Sequence, residues 1–397
     1  MPGLEAPIFN NTTPADVQGA AGIPLLFFDT TQAIWIRRTI YYFANSAVLT
    51  ASILTNAVNV IIFILGGLSD GMSWIFLGLS VSDLLHCLFW LMDRVLGMAQ
   101  VFFNQHPEVN FLQLNFIISR YARIFYVTSV ILTVFAASQK SVCVAFPLTF
   151  RFFFTRKRSA ICVALIFVSV VISYLPSLTT HRLLPTFSVR FNRTRWRYSA
   201  RDKALRQSTL DFHNMASFVF LPFISQAIVI FCLLVLIVKL KAAAKTRREM
   251  TGGGIEECDP SGEKSADGKN NPTMSEGKQT PGKASATDAS DSKAKKDNQE
   301  NTNFSDKELR VIKSVSLVCG IFIGGTIPYS LINMTRFIFP PFSDGGSYSS
   351  LYFLIVSLQG MWYYGSTALN IVVYYKYNTK YKKAFQSHVL CFKEKKK

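Results

Sequence analysis

The sequence has few cysteines and few signs of catalytic chemistry. Its seven cysteines fall in or beside apolar runs, in a hydrophilic segment or in the tail, at positions 87, 143, 162, 232, 258, 319 and 391. None lies in a segment that we predict to be outside the cell, so we expect no extracellular disulfide. The sequence also contains no H-E-x-x-H motif, no Walker loop and no cysteine pair at zinc spacing. We therefore expect that the protein is not an enzyme.

Long apolar runs dominate what is present. Hydrophobic residues make up 50% of the chain and aromatic residues 14%. A helix of about 20 apolar residues crosses a hydrocarbon core of about 30 Å and satisfies its own backbone groups there. The sequence thus predicts an all-α integral membrane protein, a seven-transmembrane helix bundle. The seven runs cover roughly 39–66, 74–98, 112–138, 160–178, 214–240, 310–338 and 350–375.

Composition divides the chain into five segments. Residues 1–38 are predicted to form an extracellular N-terminal tail, and 39–242 the first five transmembrane helices. Residues 243–306 are rich in Gly, Ser, Asp, Lys and Asn, cannot bury enough apolar surface to fold, and are predicted to be a disordered third intracellular loop. Helices six and seven occupy 307–376. An amphipathic eighth helix and a cytoplasmic tail occupy 377–397.

Basic residues near the ends of the runs predict the orientation. The loop after run three, the end of run five (KLKAAAKTRR) and the C-terminal tail are all basic. Since Lys and Arg concentrate on the cytoplasmic side, the N-terminus is predicted to be extracellular and the protein a multi-pass protein of the plasma membrane. No basic n-region precedes an apolar stretch at the start, so we expect no cleaved signal peptide. Glycosylation sequons on the predicted outer side begin at Asn10, Asn11 and Asn192.

One loop opposes this rule. The segment HRLLPTFSVRFNRTRWRYSARDKALRQ, between runs four and five, carries seven arginines and a lysine. In one interpretation it is a solvated loop whose charges do not determine topology. In the other it is an electropositive lid that attracts anionic ligands.

Polar residues inside the runs carry a family resemblance. Asn56 stands in run one, Asp83 in run two, Pro222 in run five and Pro328 in run six, while run seven ends in ALNIVVYY with Asn370. Polar groups at membrane depth are costly and usually functional. Their order and spacing over all seven runs resemble those of rhodopsin-like (class A) G-protein-coupled receptors, of the peptide or chemosensory type.

The resemblance implies a sodium pocket around the buried carboxylate of Asp83. Ser129, Ser366 and Asn370 match the other positions that line it in the family, and such oxygen ligands suit a hard cation. In the alternative interpretation Asp83 is protonated and held by Asn56 and Asn370 as a structural knot. No other cofactor is expected.

The resemblance also implies a coupling surface for a heterotrimeric G protein and a set of switch residues. The family's Asp/Glu-Arg-Tyr triplet aligns with Gln139, Lys140 and Ser141, so a lysine stands where the family has arginine and no acid precedes it. Run six has Thr326, and run seven Ile371, where the family commonly has tryptophan and proline. The predicted coupling residues are Lys140, Phe146 and Pro147, and the predicted switch residues are Phe322, Pro328 and Tyr374.

A ligand pocket is expected at the outer end of the bundle. Ala122 stands at the position of the aminergic aspartate, which argues against an amine, and arginines favour an anionic ligand. Alternatively, Arg123 pairs with Asp93 and the aromatic residues only pack. The candidate ligand-binding residues are Trp90, Asp93, Arg120, Arg123, Tyr126, His213, Tyr329, Asn333, Arg336, Tyr363 and Tyr364.

The basic segment after Tyr374 predicts a contact with membrane lipids. Tyr377, Tyr381, Phe385 and Val389 recur at four-residue spacing among lysines, which is typical of an amphipathic helix on an anionic membrane. Cys391 is a predicted palmitoylation site. The +18 charge is divided between both faces of the membrane, so we expect no nucleic-acid partner. Two alternative functions stay open, a receptor-like protein that binds ligand without coupling and a transporter or channel.

Overall fold

The computed structural model describes residues 30–102, 111–146, 154–179, 181–188, 193–200, 208–209, 212–213, 215–252, 306–343 and 346–390. Within them the chain is mostly helical. We label the helices α1 (Thr30–Thr39), α2 (Asn45–Leu65), α3 (Gly71–Phe102), α4 (Phe111–Ala145), α5 (Arg156–Thr179), α6 (Leu221–Gly252), α7 (Asp306–Ile338), α8 (Ser349–Ala368), α9 (Asn370–Tyr377) and α10 (Thr379–Phe385). Three π-helical turns extend them, at Ile40–Ala44 before α2, Ala216–Phe220 before α6 and Gln386–Leu390 after α10.

Six of the helical segments are long and apolar enough to cross a membrane, as far as the described residues show. They confirm the prediction of a helical, multi-pass membrane protein. The run predicted at 350–375 falls on α8 and α9, which are separated at Leu369. Helix α8 contains several tyrosines, serines and glycines and is not among the segments that are apolar enough to cross a membrane. The six spans are Ile40–Leu65, Gly71–Ala99, Ile117–Ala145, Arg156–Thr179, Leu221–Lys239 and Ile312–Ile338.

Helices α3 and α4 form the centre of the bundle. Both pack against each other and against α5, and α3 also packs against α2, which in turn contacts α8. One core cluster contains Phe63, Phe76, Tyr374 and Tyr381, whose rings lie 4.8 to 6.0 Å apart. A second cluster forms around Tyr126 toward the other end of the bundle. We call these two ends the Lys140 end and the hairpin end, after the features nearest to them.

A β-hairpin follows α5 and was not predicted from the sequence. Strand β1 (His181–Ser188) pairs antiparallel with β2 (Arg193–Ala200), so that His181 lies opposite Ala200 and Ser188 opposite Arg193. Strong β-formers such as Phe187, Trp196 and Tyr198 favour this conformation over an irregular loop. The basic segment between runs four and five therefore has regular structure over 181–188 and 193–200.

The turn between α2 and α3 holds α10 in place. Gly67 adopts φ +76°, which glycine tolerates without strain. Asp70 caps α3 by accepting hydrogen bonds from the backbone N–H of Ser73, at 2.9 Å, and from its hydroxyl. The Lys380 ammonium donates to Asp70 Oδ2 at 3.0 Å. Burial raises the pKa of Asp70, but the hydrogen bonds from Ser73 and Lys380 outweigh it, so that the net pKa is lowered.

Helix α7 contains Pro328, whose missing N–H leaves the carbonyl of Gly324 without its usual helical donor. Trp362 of α8 compensates for this loss, because its indole Nε1–H donates to the Gly324 carbonyl oxygen at 2.8 Å. The Trp362 side chain is otherwise 61% exposed on the outer surface of the bundle. The proline position and the neighbouring helix are thereby joined by one hydrogen bond.

Residues Ile237–Leu309 form a separate compact unit, and its described parts are the end of α6 and the start of α7. Helix α6 continues to Gly252, whereas the sequence predicted a linker from residue 243. Several predicted sites lie outside the described residues, namely Asn10, Asn11, Pro147, Asn192 and Cys391.

Candidate functional site

Asp83 lies on α3 at a small cavity in the middle of the bundle. Its Oδ1 accepts a hydrogen bond from the Ser129 hydroxyl at 2.6 Å, and its Oδ2 accepts one from Asn370 Nδ2 at 3.4 Å. Ser366 also lines the cavity, and its hydroxyl donates to the Tyr363 carbonyl oxygen. All four residues of the predicted sodium pocket therefore meet at one place. The cavity is further lined by Leu79, Thr133, Val318, Ile321, Phe322, Tyr363 and Thr367.

Asn370 leaves an oxygen atom available at this cavity. Its amide nitrogen is used by Asp83, while its Oδ1 is buried and has no hydrogen-bond partner among the described residues. A buried carbonyl oxygen without a donor is costly. A cation or a water molecule at the cavity would satisfy it, so the donor set suits a small hard cation.

Asn56 has other partners than Asp83 in the described hydrogen bonds. Its Nδ2 donates to the carbonyl oxygen and the hydroxyl of Ser52 at 3.0 and 3.3 Å, and its Oδ1 accepts from Asn59 at 3.5 Å. Asn59 in turn accepts a hydrogen bond from the Tyr381 hydroxyl at 2.7 Å. Asn56 thus belongs to a polar chain that runs along α2 to α10, and Ser129 takes its expected place beside Asp83.

His86, one turn from Asp83 along α3, lies at the centre of an aromatic cluster. The rings of Trp90, Tyr126, Tyr363 and Tyr364 surround it at centroid distances of 5.5 to 6.3 Å. Its Nδ1 lies 2.8 Å from the carbonyl oxygen of Ala122. Since a carbonyl only accepts, Nδ1 is the protonated nitrogen and Nε2 is the acceptor in the neutral ring. Four predicted ligand-binding residues therefore converge around a histidine that was not predicted.

Tyr126 provides an unsatisfied group in the same cluster. Its hydroxyl is buried and has no hydrogen-bond partner among the described residues. The ring of Tyr329 of α7 lies 5.8 Å from the ring of Tyr126. The cluster therefore joins α3, α4, α7 and α8 and contains both a hydroxyl and an imidazole that can bond to a bound molecule.

Asp93 does not pair with Arg123 in the described ion pairs, contrary to the alternative interpretation. Its Oδ2 accepts a hydrogen bond from Arg94 Nη1 at 2.7 Å and another from the Tyr41 hydroxyl at 3.4 Å. The Arg94 guanidinium also lies over the Tyr41 ring, 3.7 Å from its centroid. Asp93 is thus neutralised on its own helix, and these three residues connect α3 to the helical segment before α2.

The two arginines of α4 belong to a cationic cluster at the hairpin end. Arg120 is buried. Both Arg120 and Arg123 lie close enough to Tyr174 of α5 and to His213 to interact with them electrostatically. The Tyr174 ring stacks on the His213 ring at 4.4 Å, and its hydroxyl lies 2.6 Å from that of Ser217. We call these five residues the cationic cluster. Three of them were predicted as ligand-binding residues, while Tyr174 and Ser217 were missed.

The remaining two candidates stand apart from both clusters. Asn333 donates to the Tyr329 carbonyl oxygen of its own helix at 2.8 Å. The Arg336 guanidinium lies 5.8 Å from the centroid of the Tyr352 ring. Their described contacts are therefore with the ends of α7 and α8.

At the Lys140 end, the side chains of Gln139, Lys140 and Ser141 lie in different environments. Gln139 is buried where α3, α4 and α5 meet, near Gly71 and Ser159. Lys140 is half-buried, and Phe146 is 64% exposed. The Ser141 hydroxyl lies 3.4 Å from the Cys232 carbonyl oxygen of α6. Lys140 and Phe146 are the two predicted coupling residues that the structure describes, and both are at least partly exposed.

The predicted switch residues are spread along the bundle: Tyr374 lies in the core cluster at the Lys140 end, Phe322 at the cavity, and Pro328 next to Tyr329 toward the hairpin end. Phe322 lines the cavity, and Tyr374 packs in the ring cluster with Phe76. Near Pro328, the Gln226 amide of α6 donates to the hydroxyls of Thr326 and Ser330 at 3.2 and 2.8 Å. Thr326 thus fixes α6 to α7 by a hydrogen bond.

Two of the residues that the sequence analysis missed could have been found from the sequence. His86 and Gln226 are each polar residues inside an apolar run, which is the feature that marks a buried functional or structural group in a membrane. Trp362 and Tyr174 had no such signal, because an aromatic residue in an apolar run is most often packing.

Comparison with models of known protein families finds no match to this chain, and comparison with curated proteins finds none either. What the chain does must therefore be inferred from the residues that its own fold brings together.

Proposed function

We propose that this protein is a seven-helix receptor of the rhodopsin-like type, located in the plasma membrane with its N-terminus outside. It binds an extracellular anionic ligand at the hairpin end and activates a heterotrimeric G protein at the Lys140 end. The observation that carries the proposal is the convergence of Asp83, Ser129, Ser366 and Asn370 on one cavity. These residues come from three distant parts of the sequence.

The hairpin end supports the ligand class. The charges of Arg120 and Arg123 act on the same neighbours in a region of low dielectric, where they attract an anion more strongly than they would in water. The hydroxyl of Tyr126 offers an unused hydrogen bond one turn deeper. A carboxylate or phosphate at the arginines, with an apolar part among the aromatic rings, fits this arrangement.

The cavity at Asp83 supports a sodium ion as an allosteric component. Asp83, Ser129, Ser366 and Asn370 would hold it through oxygen atoms. Bound sodium would neutralise the carboxylate between α3, α4 and α9. Ligand binding above the cavity and movement of α7 near Pro328 would change this site, because Phe322 of α7 lines it.

Signalling requires that the ligand favour one arrangement of the helices over another. In the proposed mechanism α7 moves outward about Pro328 and opens a cleft at the Lys140 end, where the G protein docks. Lys140 takes the role of the family's arginine, with a charge but without the planar fork.

The test is G-protein activation in transfected cells that express the wild type or Lys140→Ala at equal surface density. We expect activation by the wild type, without ligand or with fractionated tissue extract, and its loss in the variant. Lys376→Ala changes another lysine at the Lys140 end of the bundle. It is the control and should retain activation.

A receptor-like protein that binds ligand without coupling is the second candidate. The burial of Gln139 against α3 and α5 favours it, because no acid at this position can restrain the neighbouring cation. Silence of a surface-expressed wild type with every G-protein class, together with retained ligand binding, would select this candidate.

A further inference from the structure

Gln226 of α6 spans the turn of α7 that contains Pro328. Thr326 and Ser330 stand on either side of the proline in the sequence, and they share one face of α7 because they are four residues apart. The Gln226 side-chain nitrogen donates to the Thr326 hydroxyl at 3.2 Å and to the Ser330 hydroxyl at 2.8 Å. All three side chains are buried. We call these two hydrogen bonds the Gln226 bridge.

The hydroxyl groups of α7 fix the direction of both bonds. The Thr326 hydroxyl donates to the Phe322 carbonyl oxygen at 2.7 Å, and the Ser330 hydroxyl donates to the Thr326 carbonyl oxygen at 3.1 Å. Each hydroxyl has one hydrogen atom, so toward α6 it can only accept. The amide nitrogen of Gln226 carries two hydrogen atoms and supplies one to each hydroxyl. Donors and acceptors of the Gln226 bridge therefore match.

The packing of α6 on α7 toward the Lys140 end is apolar. The buried residues of the two helices in the core cluster at this end are Val229 and Cys232 of α6 and Val315, Val318 and Cys319 of α7. Apolar packing is non-directional, so it permits one helix to slide or tilt along the other. The Gln226 bridge adds a directional link, because hydrogen bonds weaken steeply when their geometry changes.

We propose that Gln226 is a positioning residue that holds α7 in its resting bend, and that α7 changes its bend about Pro328 after the Gln226 bridge is released. A change of bend alters the distance between the hydroxyls of Thr326 and Ser330, and one amide then no longer reaches both. Hydrocarbon offers no donor that replaces the lost bonds. The inference rests on the proposed function, because it assigns the resting state to a receptor in which α7 moves.

The experiment measures how often the Lys140 end of α7 opens. Ser314 of α7 is 1% exposed and precedes Val315 of the core cluster, so Ser314→Cys places a shielded thiol there. The full-length protein in nanodiscs of zwitterionic lipid is treated with a water-soluble maleimide, and labelling at position 314 is read by peptide mass spectrometry. The labelling rate follows the open population when opening is fast. Labelling of the native, buried Cys87 in the same samples reports general loosening of the bundle.

Gln226→Leu removes both donors and keeps a side chain in the same place. Two lost hydrogen bonds of typical net strength correspond to labelling about tenfold faster or more at position 314, with Cys87 unchanged. Ser225→Ala is the matched control, because Ser225 is the adjacent buried residue and its hydroxyl donates to the Pro222 carbonyl of its own helix. It should label at the wild-type rate.

Thr326→Val/Ser330→Ala tests the same contact from α7. It removes the two acceptors and leaves the Gln226 amide buried without them, so labelling at position 314 should accelerate at least as much as in Gln226→Leu. Addition of Gln226→Leu to this variant should give no further acceleration, because the Gln226 bridge can be lost only once.

Three results would overturn the proposal. These are a wild-type rate in Gln226→Leu, an equal acceleration in Ser225→Ala or at Cys87, and multiplication of the two effects in the combined variant. The assay contains neither ligand nor G protein. Faster labelling without a rise in ligand-free G-protein activation in cells would therefore retain the Gln226 bridge and reject the coupling part of the proposed function.

Discussion

Single residues in the membrane show how burial and chemistry are balanced. Asp83 is fully surrounded, yet both of its oxygens accept hydrogen bonds, and Asp93 is matched by Arg94 and Tyr41. A buried carboxylate without such partners would cost several kcal/mol or would be protonated. The resemblance implied that Ser129 and Asn370 lie beside Asp83, and both donate hydrogen bonds to it. The sequence could not predict that Arg94 neutralises Asp93, since adjacent residues on a helix normally face different directions.

Asp83→Asn is expected to abolish stabilisation by sodium. If sodium binds at the cavity, raising its concentration to ten times its dissociation constant stabilises the wild type by about 1.4 kcal/mol. The variant loses the negative charge and keeps the size of the side chain, while one of its two acceptor oxygens becomes an amide nitrogen that only donates. The measurement is thermal unfolding of purified protein in sodium chloride and in choline chloride.

Asp70→Asn is the control for this experiment, because Asp70 lies outside the cavity, in the turn before α3. It should keep the full response to sodium. A wild type that responds equally to both salts, or an Asp83→Asn variant that still responds to sodium, would show that the cavity does not bind this cation.

The contact of Asp70 with Lys380 is expected to weaken in acid. The pKa of Asp70 is lower in the folded protein than in the unfolded chain, so its contribution is complete above the unfolded value of about 4. It is lost as the pH falls through the lowered folded value. Because both side chains are about half exposed, the contribution should be less than about 1 kcal/mol.

The measurement is the difference in unfolding midpoint between the wild type and Asp70→Asn from pH 7 to pH 3. Asparagine keeps the ability to cap α3, so the comparison isolates the charge. A difference that does not shrink toward pH 3 would show that the ion pair is not its source.

At the scale of helices and strands, the apolar runs located the six helices that are long and apolar enough to cross a membrane, but they did not locate the hairpin. Six predicted runs each fall largely on one long helix, and the run 350–375 falls on α8 and α9; helices extend beyond several runs because polar residues at the ends of spans continue the same hydrogen-bond pattern. The hairpin escaped prediction because arginines conceal the alternation on β2. The pattern Arg-Thr-Arg-Trp-Arg-Tyr has a period of two, but it alternates arginine with hydroxyl-bearing or aromatic residues instead of polar with aliphatic ones.

Gly325→Ala is expected to destabilise the packing of α7 on α8. A Cβ at Gly325 would lie 2.5 Å from the Ser366 hydroxyl oxygen and 3.2 Å from the Ser366 Cβ, so the helices must separate or Ser366 must turn. Overpacking of this kind costs about 1–3 kcal/mol. The measurement is the thermal unfolding midpoint of the purified variant.

Gly324→Ala is the matched control, because a Cβ at Gly324 meets nothing within 4 Å. Alanine is the better helix former by up to about 1 kcal/mol, so this neighbouring variant should be as stable as the wild type or more stable. Equal destabilisation of the two variants would contradict the close approach at Ser366.

At the scale of the whole molecule, the two ends of the bundle are expected to lie on opposite sides of the membrane. An epitope tag placed before Thr30 should be stained on intact cells, because the basic regions retain the opposite end in the cytoplasm. A tag inserted between Gly252 and Asp306 should be stained only after permeabilisation. Staining of the second tag on intact cells would reverse the proposed orientation.

The helices of the bundle could be predicted from the sequence more completely than the side-chain contacts that form its sites. Length and hydropathy dictate that these segments are helices, since lipid offers the backbone no other partner. Which side chains meet depends on rotation of each helix about its axis, and the sequence alone does not fix that rotation. His86 and Tyr174 lie at the centres of their clusters for reasons of packing that only the assembled helices reveal.

The hydrogen bond from Trp362 to the Gly324 carbonyl lies on the surface of the bundle, where the surrounding solvent decides its value. In dry hydrocarbon the carbonyl has no substitute donor, and the bond holds α7 firmly to α8. In a hydrated detergent micelle a water molecule can replace the indole at little cost. The stiffness of α7 near Pro328 is therefore a joint property of the protein and its lipid, and the same chain will bend more easily after extraction than in its native membrane.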